Sequence, residues 1–183
     1  MDAITLNLFP TAVHQVRTKG WDKYKGYLLN SINNQPDPSY RPRAGYYTDY
    51  GKPQPWRKRI WGEFIEPELR PFITQTQTKL QDIWAQQYID QAGFTTHRHQ
   101  PTGYSCVLYA EFDPNEHWAT TLFRPFLDPN DVRNVNDCYT PKVEEGEILI
   151  FPSWMLHQAT PSDSLVPRTI VAFNLEEDLS NRM

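Results

Sequence analysis

Little in this sequence points to a covalently braced or membrane-embedded scaffold. Its 183 residues include only two cysteines, Cys106 and Cys138, which excludes a disulfide framework. No apolar run approaches the roughly 20 residues that a membrane-crossing helix needs. The opening MDAITLNLFP lacks the basic start and apolar core of a secretory signal. Basic residues are not in excess: 18 Lys and Arg stand against 22 Asp and Glu, a net charge of −4. That balance argues against general nucleic-acid binding and against an anionic membrane surface. Glycine is scarce, at 8 residues, and no period of the solenoid or propeller kind recurs. What remains is a single domain over 1–183, expected in the reducing cytoplasm.

Aromatic residues are plentiful, at 14% with 6 Trp and 10 Tyr, and prolines number 16. Aromatic side chains favour strands and lined pockets, and prolines favour irregular connections. The chain divides by period. Residues 1–83 read as helical and loop support, and 84–183 as the strand-built core. AVHQVR at 12–17 suits a short edge strand. Trp21, Tyr24, Leu28 and Ile32 recur as one face of a helix running from near Asp22 to Asn33-Asn34. Residues 35–59, with five prolines and four tyrosines, read as one long loop. Its length and tyrosines place it over or beside the mouth of the core. Ile65, Leu69, Phe72, Thr76, Leu80 and Ile83 continue helical spacing, so a second helix is expected to reach Ile83, with Pro67 in its first turn and Pro71 delaying its regular start. From Trp84 the period is two: WAQQY, YSCVLYAEF, TTLFRPF, GEILIFP and RTIVAFN are short, aromatic or β-branched segments set apart by Gly and Pro. Successive strands without intervening helices predict an antiparallel jelly roll with two helices outside it.

Chemistry concentrates in a few polar residues within these strands. His97 and His99 stand as H-x-H ahead of YSCVLYAEF, and on extended chain two such imidazoles share a face. His157 follows the apolar strand of GEILIFPSWMLH, and Arg168 opens RTIVAFN eleven residues later. Side-by-side strands of a jelly roll would bring the three histidines to one metal ion. An inward Arg168 would require a partner, for which a bidentate carboxylate is the natural choice. His14 and His117 sit in polar contexts and read as solvated. Cys106 reads as a buried strand residue, Phe151 and Trp154 as wall residues, Glu144–Glu147 as a solvated turn, and 127–142 as a surface connection.

These motifs resemble the Fe(II)/2-oxoglutarate-dependent oxygenases with a double-stranded β-helix core. More narrowly, the sequence is similar to small oxygenases of bacteria and tailed phages. The resemblance rests on LFPTAV (Leu8 to Val13), HRHQP (His97 to Pro101), SCVLY (Ser105 to Tyr109), FPSWMLH (Phe151 to His157) and RTIVAFN (Arg168 to Asn174). It implies a mainly β, cupin-like jelly-roll fold and two cofactors, Fe(II) and the cosubstrate 2-oxoglutarate. It implies His97 and His157 as metal ligands, with His99 where the superfamily usually has Asp or Glu. Either His99 binds directly, or a carboxylate such as Glu111 or Asp113 takes its place. Three neutral imidazoles suit iron with open positions and also suit zinc. The resemblance further implies that Arg168, helped by Tyr109, holds the distal carboxylate of 2-oxoglutarate, and that Asn174 faces the metal end. The implied reaction couples oxidative decarboxylation of 2-oxoglutarate to C–H hydroxylation of a small-molecule or peptide substrate. Two rival readings are a cupin-type metal enzyme that does not use 2-oxoglutarate and a non-catalytic jelly-roll module. Positions 100–105, QPTGYS, lack the acidic residue a cupin usually adds after H-x-H.

Overall fold

The computed structural model describes residues 11–125 and 137–181. The segment Leu8–Pro10 of LFPTAV, Phe126, and most of the expected 127–142 connection lie outside the described residues. Among them, no helix is long and apolar enough to cross a membrane.

Thirteen of the described elements build the domain. In chain order they are β1 (His14–Arg17), α1 (Asp22–Asn33), β2 (Tyr46–Thr48), α2 (Trp56–Ile60), α3 (Glu66–Thr76), β3 (Thr78–Tyr88), β4 (Phe94–His97), β5 (Tyr104–Glu111), β6 (Thr120–Phe123), β7 (Cys138–Tyr139), β8 (Glu147–Pro152), β9 (His157–Ala159) and β10 (Arg168–Glu177). Two antiparallel sheets result. The larger has the order β1-β8-β5-β10-β3-β2, and the smaller β4-β9-β6-β7. This is the expected jelly roll with helices packed on the larger sheet.

Side-chain alternation explains why the central strands are apolar on both faces. Cys106, Leu108, Ala110, Ile148, Ile150, Val171 and Phe173 turn outward and pack with Leu28, Ile32, Trp56, Ile60 and Leu69 of the helices. Val107, Tyr109, Leu149, Phe151 and Ile170 turn inward and pack with Leu122 and Met155 on the smaller sheet's side. The first helix runs where its spacing placed it, with Trp21, Tyr24, Leu28 and Ile32 all buried. The edge strand at 14–17 pairs with β8.

Three expectations are corrected. The second helix begins at Trp56, passes through a π turn at Trp61–Ile65, and ends at Thr76. Leu80 and Ile83 belong to β3, because Gln77 takes a left-handed conformation (φ 51°) and turns the chain into a strand beside β10. Pro71 sits inside α3 rather than delaying it. The 35–59 segment is no uniform loop: it contains β2, paired to β3, and the start of α2. Glu144–Glu147 is a turn that is solvated only at its start, where Glu144 is exposed. Glu147 is buried and accepts from Gln15, Arg17 and the Glu144 amide. Gly146 (φ 83°) makes that turn flat against the Trp21 ring, where a Cβ would be crowded.

Candidate active site

His97 closes β4 and His157 opens β9, and the two are direct cross-strand partners. His99 follows β4, tied in by its amide donating to the Ser153 carbonyl. Ring centroids lie 4.3 Å apart for His97 and His157, and 5.1 Å for each of them against His99. One nitrogen from each ring falls within 4.8 Å of the others. Every Nδ1 is engaged with an oxygen: His97 with the Thr95 carbonyl at 2.8 Å, His99 with Asn174 Oδ1 at 2.8 Å, and His157 with the Met155 carbonyl at 2.9 Å. Each Nδ1 therefore carries the proton and donates it, leaving Nε2 with a free lone pair. That is the tautomer a metal site requires. Ser105 Oγ lies 3.1 Å from the same Asn174 Oδ1 and steadies it. Burial pushes His157 down to about 3 and holds His97 below the usual histidine range. Both are neutral at physiological pH, as ligands must be.

Carboxylates stand elsewhere. Glu111 accepts from Thr169 Oγ1 at 2.8 Å, and Asp113 accepts from Asn115. Among the described residues, the metal-capable cluster is three histidines, and the structure brings His99 to it rather than Glu111 or Asp113.

Arg168 enters from the other end of the same interior. Alternation along β10 places Arg168, Ile170, Ala172 and Asn174 on one face, so the strand spans from the guanidinium to the histidines. Arg168 is buried, and its Nη1 donates to the carbonyls of Trp118 at 2.6 Å and Thr160 at 2.8 Å. Its guanidinium carbon sits 4.7 Å from the centre of the Tyr88 ring. Nη2 is buried without a hydrogen-bond partner, and so is the Tyr88 hydroxyl. Among the described residues Arg168 has no carboxylate partner. Burial works against its charge and also holds Tyr88 and Tyr109 well above the usual phenol range, so both remain protonated. The Tyr109 hydroxyl accepts from the Thr120 amide at 3.1 Å and keeps its own proton to donate. Buried donors without partners cost free energy. A carboxylate bound there would satisfy them.

A pocket of about 40 Å³ lies between β3, β5, β10 and the three histidines. It shares Thr120, Ala159 and Ile170 with the lining around Arg168 and Tyr109. Outside it opens a cavity of about 580 Å³, bounded by Trp84, Phe94, His97 and His99. Tyr46, Thr48 and Tyr50 form one wall, so the 35–59 segment does lie at the mouth.

The residues present fit a divalent metal and an oxoacid cosubstrate. The three Nε2 atoms could serve as metal donors, and the unpartnered Arg168 Nη2 and Tyr88 hydroxyl could receive an anion. Sequence reasoning missed Tyr88, although 84, 86 and 88 of WAQQY share a face by simple alternation. It also missed Thr120 and the Trp118 and Thr160 carbonyls, whose backbone roles leave no side-chain signature. His117 is corrected as well. It is buried, receives the Asp113 amide on Nδ1 and holds the Val166 carbonyl with Nε2, a clasp between two loops. His14 is exposed, packed edge-on to Phe72.

No curated protein matches the sequence. Solved structures do resemble the fold. HygX from Streptomyces hygroscopicus, with nickel, 2-oxoglutarate and hygromycin B bound, superposes with a TM-score of 0.65 at 11% identity, covering 91% of this chain and 83% of that one. The viral collagen prolyl hydroxylase vCPH from Paramecium Bursaria Chlorella virus-1, in its 2OG complex, gives 0.63 at 11% identity, over 91% and 96%. A prolyl-4-hydroxylase of Pseudomonas putida gives 0.58 at 12% identity, over 92% and 94%. A family described as "Putative 2OG-Fe(II) oxygenase" matches residues 82–174. That match covers half of the chain and takes in the three histidines, Tyr88, Tyr109, Arg168 and Asn174. The chain therefore belongs to the 2-oxoglutarate- and Fe(II)-dependent oxygenases.

Proposed function

We propose that His97, His99 and His157 hold the iron through Nε2, and that Arg168, with Tyr88 and Tyr109, receives the distal carboxylate of 2-oxoglutarate. The carrying observation is the pairing of three neutral, converging imidazoles with an unpartnered buried guanidinium on one interior face. When bound, the metal and cosubstrate supply oxidative decarboxylation by O₂ to succinate and CO₂, with the second oxygen atom passing to a substrate C–H bond. The chain's own work is binding and orientation. Asn174 fixes the His99 tautomer, and the Thr95 and Met155 carbonyls fix those of His97 and His157. Arg168 is pre-aimed by two carbonyls, so a carboxylate meets a fixed fork rather than a mobile side chain. Phe151, Ile170 and Phe94 keep water from the interior. The substrate is a small molecule or a peptide side chain entering the outer cavity, whose size falls in the range of small-ligand sites. The whole chain acts as one domain in the cytoplasm, where Cys106 and Cys138 remain thiols.

Anaerobic titration with Fe(II) and 2-oxoglutarate tests the site, followed by succinate release on admitting O₂. Slow, uncoupled succinate formation is expected without substrate. Loss of 2-oxoglutarate binding with none of the histidine or Arg168 substitutions would remove the assignment.

A further inference from the structure

The outer cavity carries more information than its size. Four rings shape it: Tyr46, Tyr50, Trp84 and Phe94. Tyr50 meets Trp84 edge-on, with centroids 5.0 Å apart and planes at 75°. Tyr46 tilts by 36° on Phe94, and Phe94 meets His97 edge-on at 78°. Neither the Tyr50–Trp84 nor the Tyr46–Phe94 contact is a face-to-face stack. The four rings form a corner that offers ring faces and edges, against which a puckered ring can lay its C–H groups.

Amides recur in the polar lining, beside Thr48, Asp82 and Arg98. Gln81, Gln86, Gln100 and Asn174 are all amides. The side chains of Gln81 and Gln100 make no hydrogen bond to another described residue, and Gln86 uses its Nε2 on the Tyr46 hydroxyl at 2.7 Å. An amide both donates and accepts, as a hydroxyl does, so the two free amides of Gln81 and Gln100, with the unused oxygen of Gln86, suit neighbouring hydroxyls. Charge adds little. The one lining carboxylate, Asp82, lies 3.8 Å from Arg57, and the one lining guanidinium, Arg98, stands alone. Among the described residues of this lining there is neither an acidic cage for an ammonium group nor an arginine cluster for a phosphate.

We propose that this cavity binds a saturated polyhydroxylated ring, a sugar or cyclitol unit, and turns one of its C–H bonds toward the histidines. The inference rests on the metal and cosubstrate assignment above and specifies its substrate class. Trp84 and Tyr50 supply the stacking corner, and Gln81, Gln86 and Gln100 bond the hydroxyls.

Saturation-transfer NMR tests it on the protein loaded with Zn(II) and 2-oxoglutarate. The probes are methyl α-D-glucopyranoside and myo-inositol, set against acetyl-Gly-Pro-Gly-amide and thymidine. Transfer to the ring protons of a saccharide or cyclitol probe is expected. Gln81→Ala and Gln100→Ala should each weaken that binding about 3–10-fold, the loss of one hydrogen bond. Neither side chain has a partner among the described residues, so these substitutions leave the fold intact. Transfer confined to the peptide or the nucleoside overturns the proposal. So does transfer to none of the four, or saccharide binding that ignores both glutamines. The thermal shift given by 2-oxoglutarate in the unaltered chain separates the two readings. It persists when only the substrate class is wrong, and it vanishes when the underlying site is wrong.

Discussion

Arg168 carries the sharpest consequence of any single residue. Its Nη1 is held by two carbonyls while Nη2 is buried and unpaired. If Arg168 receives the distal carboxylate of 2-oxoglutarate as proposed, replacing it with Ala leaves that carboxylate without its cation in a low-dielectric interior, which costs several kcal/mol. We expect Arg168→Ala to raise KM for 2-oxoglutarate at least 100-fold, with metal binding kept. Arg168→Lys should be milder, because one charge remains while the fork is lost. Succinate formation against 2-oxoglutarate concentration, with metal content measured in parallel, checks both. Asn174 acts one step away, through His99. Asn174→Ala removes the acceptor that sets the His99 tautomer, and loss of such an outer partner typically weakens metal affinity about 10–100-fold. Asn174→Asp should restore it, which competition with a chelator reads directly. The histidines and Arg168 were legible in the sequence through their order and the shared face of His97 and His99, while Asn174 entered through the family resemblance and lies an even number of positions from Arg168. Tyr88 obeyed the same rule in WAQQY but had no motif to draw attention to it.

Among the elements, β2 and the turn after it depend on one buried carboxylate. Asp49 is fully buried and accepts from the Ala85 amide at 2.8 Å, from Trp56 Nε1 at 2.8 Å, and from Arg57 Nη2 at 3.3 Å. It thereby fastens the wall that carries Tyr46, Thr48 and Tyr50 to β3 and to α2. Asp49→Ala leaves Arg57 and two N–H donors without their acceptor, so a loss of about 3–5 kcal/mol in unfolding free energy is expected, measured by urea titration. This clasp was illegible in the sequence, where the 35–59 segment shows only prolines and tyrosines. A three-residue strand is too short to display alternation, and an aspartate in a loop looks like any turn residue. The first helix was legible to its ends because Trp21, Tyr24, Leu28 and Ile32 face one core. The second was overrun because Leu80 and Ile83 continue its spacing by chance. The reversal at Gln77 leaves no glycine to announce it.

For the molecule as a whole, the histidine cluster ties stability to pH and to ligand. The folded chain holds His157 near 3, while an unfolded chain leaves it near 6.5. Between those values the unfolded state binds a proton that the folded state rejects, so folding stability increases with pH across that window. The contribution is complete above about pH 6.5 and is lost as pH falls toward 3, at about 1.4 kcal/mol per pH unit for one proton. His97, lowered for the same reason of burial, adds in the same direction. The metal-free protein should therefore show a urea midpoint that is flat from pH 7 to 8 and declines below pH 6, and His157→Asn should flatten that decline. Metal binding competes with the same protons, so Mn(II) affinity should fall over the same range. Ligand then acts on top of metal. At 100 times its dissociation constant, 2-oxoglutarate bound to the Mn(II)-loaded protein should add about 2.7 kcal/mol to the folded state. It should add far less without metal, because the keto-acid end then lacks its anchor. In Arg168→Ala the stabilisation by Mn(II) should survive and that by 2-oxoglutarate should collapse. Equal loss of both increments would mean that Arg168 supports the fold around the histidines rather than the cosubstrate, since a binding role at the far end of the pocket leaves the metal end untouched.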